Sequence, residues 1–239
     1  MRINKTTYKK FMNYFPKDKE FERYAQSEFG MGSSTLNAYS KHIQGSMTPY
    51  ILEERELRAT QMDIFSRLMM DRLLWVAGPV NDQMSTVVQA QLMFLDTTSS
   101  EDITMHIDSP GGSVKSGLSM VDVMDYIKSD IITVNTGMAA SMGSILLGAG
   151  TKGKRYSLRF SKVMLHQSSG GFSGNIQDAK IDFEEWEKYN KILFELLGDY
   201  CDKDPKQVAE DASRDFWMDA KEAVKYGIID DVIKNKPKK

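Results

Sequence analysis

Ser141 lies within Gly137-Met138-Ala139-Ala140-Ser141-Met142-Gly143, a run of small residues between an extended segment and an apolar one that reads as a helix. A serine at a strand-to-helix turn has an uncrowded hydroxyl. The free N–H groups of the first helical turn lie beside it, where a developing oxyanion would be stabilised. Small neighbours also let a substrate backbone come close. These features suit nucleophilic acyl transfer, although a tight Gly/Ala/Ser turn packed on a neighbouring element has the same composition.

The run departs from the G-x-S-x-G nucleophile elbow because Ala139 holds the first glycine position. A base is needed, and there are three histidines. His42 sits in a polar N-terminal stretch. His106 alternates with Met105 inside a strand-like run, so it is expected to face the surface. His166 follows the apolar run Val163-Met164-Leu165 and precedes Gln167-Ser168-Ser169-Gly170-Gly171, the end of a buried strand beside a glycine break. A hydrogen-bonded loop histidine would look the same. Among many acids, Asp215 stands next to Phe216 and Trp217, which are expected to limit its access to water and strengthen pairing with an imidazole. One motif misleads. Gly148 to Lys154 matches the G-x-x-x-x-G-K start of a phosphate loop, but Arg155 replaces the magnesium-holding Ser/Thr and the segment runs from helix to strand, the reverse of the required order.

The elements that must position these groups read as α/β. Strands are expected at Leu73–Ala77, Ile103–Ile107, Ile131–Val134 and Val163–Leu165. Helices are expected after a cap at Asn81 or Asp82, from Val114 up to Asp130, over Ser144–Leu147, from about Ile176 to Tyr200, and after Asp204-Pro205. The chain has 239 residues, 41% hydrophobic and 27% charged, with a net charge of −2, so it can bury a sizeable core without staples. The single cysteine, Cys201, cannot close an intrachain disulfide, and neither C-x-x-C nor H-E-x-x-H occurs, so no metal site is expected. No apolar run approaches the roughly 20 residues of a membrane span, and residues 1–19 lack the apolar core of a signal peptide; a cytoplasmic location is expected.

Composition changes near residue 47. Residues 1–47 carry eight Lys/Arg against four acids and eight of the 24 aromatics. Basic residues interleaved with rings can bind nucleic acid, but no recognised binding module surrounds them. An N-terminal extension or propeptide is expected over 1–47, with a linker from Gly30 to Ser46, and a solvated basic tail over 235–239.

Taken together, Gly137 to Gly143, Met164-Leu165-His166-Gln167, Asp108-Ser109-Pro110-Gly111-Gly112, and Arg214-Asp215 with Glu222 to Gly227 resemble the ClpP family, the proteolytic subunits of the ATP-dependent Clp protease. Pro49, Asp63, Ser66-Arg67-Leu68 and Gly78 to Gln83 also fall on family positions, and the resemblance covers about 48 to 234. It implies a crotonase-like ββα superhelix with a protruding handle helix and strand, an axial pore loop at 48–62 and a serine peptidase domain at 63–234. It implies Ser141, His166 and Asp215 as the catalytic triad, with the amides of Gly112 and Met142 as the oxyanion hole. Two stacked heptameric rings would enclose the sites. No cofactor is implied on this chain, because ATP is used by a separate AAA+ unfoldase such as ClpX or ClpA/ClpC, which feeds unfolded polypeptides inward; neither nucleic acid nor membrane is implied as a partner. Tyr126, Val134, Tyr156, Leu158 and Ile233 would form the docking patch for that unfoldase. Thr104, His106 and Thr136 depart from it, standing where relatives carry large apolar residues. Ser168 stands where the family usually has proline, so the adjoining strand is expected to be more mobile, and the 47-residue extension exceeds the short propeptide usual in the family.

Two other classes fit parts of the sequence. A crotonase-type enoyl-CoA hydratase or isomerase shares the fold but needs acids in its pocket, not this Ser/His/Asp spacing. A non-catalytic scaffold subunit usually has a broken triad, whereas all three members are present here.

Overall fold

The computed structural model describes residues 50–55, 58–168 and 175–233. The expected extension at 1–47, His42, Gly170, Gly171 and the tail at 235–239 lie outside the described residues. The chain forms two compact units, 1–64 and 65–239. In the first, β1 (Tyr50–Arg55) and β2 (Arg58–Asp63) pair antiparallel, Tyr50 opposite Asp63 and Arg55 opposite Arg58. This hairpin occupies the span expected as a pore loop.

After α1 (Ile64–Met70), strands and helices alternate, which produces parallel pairing through crossover connections. β3 (Leu73–Ala77), β4 (Ile103–Ser109), β5 (Ile131–Ala140), β6 (Arg155–Ser157) and β9 (Asp231–Val232) lie in that order, all parallel. Leu74, Val76, Ile103, Met105 and Ile107 point to one face and are fully buried. Beneath them pack α2 (Asp82–Thr98) and α3 (Val114–Tyr126). Asn81 caps α2, its side chain accepting from the Met84 amide.

Three expectations needed correction. α3 ends at Tyr126, short of Asp130, because the Asp96 carboxylate on α2 accepts from the amides of Lys128 and Ser129 and from the Ser129 hydroxyl, drawing the chain out of the helix. β5 does not stop at Val134. It runs on to Ala140, its last three residues pairing with β7 (Lys162–Leu165), so the supposed small-residue turn is mostly strand. His106 is on the face opposite Met105 as expected but is only half exposed. Its ring stacks on Trp75 with centroids 4.7 Å apart, and its Nδ1 is buried without a hydrogen-bond partner among the described residues.

β5 thus joins two parts of one sheet. Its first half pairs with β4 and β6 and its second with β7, which in turn pairs antiparallel with β8 (Phe216–Asp219). The bend is marked by a register shift between Ile107 and Ser109. α4 (Met142–Gly148) is buried along its whole length, as befits a short helix apolar on every side. α5 (Ile176–Cys201) has 26 residues, about 39 Å. Its buried residues, Leu193, Leu197, Gly198 and Cys201, all fall in its C-terminal part, while Ile176, Ile181 and Phe183 near its start are exposed, so the first half stands off the body. α6 (Pro205–Asp211) starts at the expected Asp204-Pro205 cap, and α7 (Ala220–Tyr226) carries a full capping box between Asp219 and Glu222.

Candidate active site

Ser141 occupies the single residue between β5 and α4, with φ 53° and ψ −123°. A positive φ is strained for serine, costing about 1–3 kcal/mol, and is held here by its surroundings. The Ser141 amide donates to the Met164 carbonyl of β7 at 2.9 Å, and its carbonyl accepts from both the amide and the hydroxyl of Ser144. The backbone is therefore fixed on both sides while the hydroxyl carries no hydrogen bond among the described residues. Ala139 at the first glycine position does not prevent this elbow geometry, because it is the nucleophile itself that takes the positive φ.

The β7–β8 ladder aligns the other two residues. Leu165 opposes Phe216 and Met164 opposes Trp217, so one step further the antiparallel register brings His166 opposite Asp215. His166 Nδ1 is 3.4 Å from Asp215 Oδ1. That is longer than a good hydrogen bond, and such contacts commonly tighten only with substrate in place. The expectation that Asp215 is shielded is wrong. Its carboxylate is 63% exposed and the imidazole 23%. Strand alternation explains this, since Met218 is the residue of β8 that turns into the core while Trp217 remains half exposed.

Ser141 and His166 line one cleft, together with Met142, Leu165, Ser168 and residues of α5. The structure thus brings Ser141, His166 and Asp215 to one end of the sheet. His106 belongs to the sheet's other region, where burial pushes its pKa below the ordinary imidazole value. Burial likewise pushes the Cys201 thiol up to about 12, so it stays protonated and is no rival nucleophile.

Gly111 and Gly112 pack against the serine turn. At Gly111, with φ 90°, a Cβ would lie 2.6 Å from the Ser141 Cβ and 2.9 Å from the Met142 amide nitrogen. At Gly112, with φ 149°, a Cβ would run into the Val80 carbonyl. Only glycine fits either position. The flanking backbone is bonded: Val80 donates to Gly111 O, Ser113 donates to Val80 O, and Gly111 donates to the Ser109 hydroxyl, which itself donates to Gly78 O at 2.7 Å. Among the described residues the amides of Gly112 and Met142 have no acceptor, the condition an oxyanion hole requires. In the sequence Ser109 and Gly111 stand out only as part of the Asp108 to Gly112 family motif, with no role of their own at the site.

The phosphate-loop match is closed off. Gly153 and Arg155 donate their amides to the Asp230 carboxylate, which also pairs with the buried Arg155 guanidinium at 2.7 Å.

Of the residues expected in a docking patch, Tyr126 is 78% exposed, and Leu158 and Ile233 border a shallow depression with Phe160. Tyr156 is half-buried, its hydroxyl donating to Gly153 O at 3.2 Å. Val134 is only 5% exposed and lies between His106 and Tyr156, its register neighbours on β4 and β6. Ser168, expected to loosen its segment, donates both its amide and its hydroxyl to Asn190 Oδ1 on α5.

Sequence comparison places these features in context. The Clp protease family matches residues 55–236. An ATP-dependent Clp protease proteolytic subunit of Bacteroides fragilis (strain YCH46) is 45% identical over 215 residues, 90% of this chain and 98% of the relative. One of Porphyromonas gingivalis is 43% identical over 220 residues, 92% and 99% respectively. One of Streptococcus mutans is 45% identical over 192 residues, 79% and 98%. The first two matches are longer than the chain beyond Met47, so they take in part of residues 1–47.

Proposed function

The chain belongs to the Clp protease family and is a Clp-type serine peptidase, and from this premise we propose that Ser141 is its nucleophile, His166 its general base and Asp215 the group that orients the imidazole. The observation carrying this reading is the β7–β8 register, which sets His166 opposite Asp215 while Ser141 lines the same cleft on a strained elbow. In the mechanism, His166 takes the hydroxyl proton as Ser141 Oγ attacks a peptide carbonyl, and Asp215 stabilises the resulting imidazolium. The amides of Gly112 and Met142 receive the oxyanion. An acyl-enzyme forms, the amine leaves with the proton from His166, and water completes hydrolysis. The substrates are unfolded polypeptides, delivered by an AAA+ unfoldase such as ClpX or ClpA/ClpC that spends ATP, this chain needing no cofactor of its own.

The chain works as a cytoplasmic homo-oligomer of two stacked heptameric rings, with residues 48–62 at the axial pore. Exposed Val87, Met93 and Phe94 on α2 and Ile176, Ile181 and Phe183 on α5 support assembly, being more apolar surface than an isolated subunit tolerates well. Among the described residues no helix is long and apolar enough to cross a membrane. Residues 1–47 are removed between about Gly45 and Thr48, which intact-mass measurement of active particles checks; a full-length mass refutes it. The central test is fluorophosphonate labelling with peptide mapping. Modification at Ser141, blocked in Ser141→Ala together with all peptide hydrolysis but not assembly, is expected. Substantial hydrolysis by Ser141→Ala would overturn the triad.

A further inference from the structure

His166 sits one residue beyond the end of the β7–β8 ladder, so its backbone is held by Leu165 on one side and by the two residues C-terminal to it on the other. Gln167 donates its amide to Ala212 O at 3.0 Å and its side-chain amide to Ser213 O at 3.3 Å. Ser168 donates its amide at 3.0 Å and its hydroxyl at 2.8 Å to one acceptor, Asn190 Oδ1. Asp215 is a poor clamp by comparison, since it is mostly solvated and 3.4 Å from the ring. Asn190 is also placed unusually. Asn190, Leu193, Phe194 and Leu197 fall at i, i+3, i+4 and i+7 on α5, and the last three line the cleft that holds Ser141 and His166. A polar residue on that otherwise apolar stripe is explained by its two bonds to Ser168.

We propose that Asn190 is a positioning residue, holding the His166 segment in register with Ser141 by anchoring Ser168 to α5. The proposal rests on the reading of Ser141 and His166 as nucleophile and base. Its physical basis is that a base displaced by even a fraction of an ångström transfers a proton poorly, while ground-state binding of the substrate is little affected. Asn190 acts as an acceptor only, so aspartate can replace it and an apolar residue cannot.

The test uses the full assembled particle and compares the parent with Asn190→Leu and Asn190→Asp. Three quantities are read: kcat and KM for a short peptide, the rate of fluorophosphonate labelling at Ser141, and the melting temperature. Asn190→Leu extends the apolar stripe, so a purely packing role predicts unchanged rates. The proposal expects kcat and the labelling rate to fall about tenfold or more with KM within about twofold and melting preserved, and Asn190→Asp to recover most of the rate. Equal labelling and kcat in Asn190→Leu and the parent overturn it, as does an Asn190→Asp variant no better than Asn190→Leu. If the leucine variant melts early, the aspartate comparison still decides. Absence of label at Ser141 in the parent would instead overturn the nucleophile reading itself, and the proposal with it.

Discussion

At Asp215 the site departs most from a shielded triad. A carboxylate in water interacts weakly with its partner because solvent screens it, so its share of catalysis is smaller than that of a buried one. Asp215→Asn is therefore expected to lower kcat by about 10²–10³, short of the ~10⁴ of a buried triad. Steady-state hydrolysis of a short peptide measures this, and a variant within twofold of the parent would remove Asp215 from the mechanism. The glycine beside the nucleophile is less tolerant. Gly111→Ala adds a methyl to a positive-φ residue lying 2.6 Å from the Ser141 Cβ, so the serine turn must shift. Peptide hydrolysis and Ser141 labelling should both fall by at least 10², with particles still assembled by size-exclusion chromatography. Ser141 and His166 could be picked out of the sequence as candidates, but a close-packed small-residue turn and a loop histidine have the same local composition, so only the family resemblance joined them. The exposure of Asp215 was not, since which face of a strand is buried depends on a register that Phe216 and Trp217 do not disclose.

The Arg155–Asp230 pair is the connection between elements that best lends itself to measurement, tying β6 to the approach of β9 and closing the turn after α4. Burial raises the Asp230 pKa, but hydrogen bonds from Arg155 and Gly153 outweigh it and hold the carboxyl below its ordinary range. The native state then binds fewer protons than the unfolded state around and below pH 4, so the pair's contribution is complete above the unfolded value and is lost as pH falls through the folded one. Asp230→Asn leaves a buried guanidinium partly unpaired and should cost about 3 kcal/mol at pH 7, with the gap from the parent narrowing below pH 4. Urea denaturation at pH 7 and pH 3 gives both numbers. His106 has the opposite chemistry and the same slope. Its lowered pKa means the unfolded state takes up protons first below about 6.5, so stability declines as pH falls from there, and His106→Phe, which keeps the stack on Trp75, should flatten that decline. At this scale the sequence disclosed most elements, including Leu73–Ala77 and the start of α5. It hid the second half of β5, because Gly137, Ala139 and Ala140 have low strand propensity and this stretch becomes strand through pairing with β7 and with Ser109 of β4. The end of α3 was hidden too, since Ile127 continues the apolar period while Asp96 captures the backbone just beyond it.

Across the whole molecule, Tyr156, expected in the docking patch, and the Ser141 turn lie against different parts of one strand, β5. Tyr156 lies on β6 beside Val134, in the half of β5 that does not carry the serine. Tyr156→Ser is expected to abolish ATPase-dependent proteolysis of a folded, tagged substrate while sparing short-peptide hydrolysis. Parallel assays decide it, and equal loss of both activities would make Tyr156 a structural residue. The chain order of the site has a further consequence, for the timing of folding. Ser141 and His166 are 25 residues apart and can be brought together by the neighbouring strands β5 and β7. Asp215 arrives 49 residues after His166, across α5 and α6, and pairs only when β8 closes that long loop. Loop closure of this kind belongs to the late steps of folding, because its entropy is lost before its contacts form. A half-folded subunit is therefore expected to bring Ser141 and His166 together before the Asp215 carboxylate reaches the imidazole. The complete Ser141, His166 and Asp215 constellation is therefore expected to be the last part of the site to form.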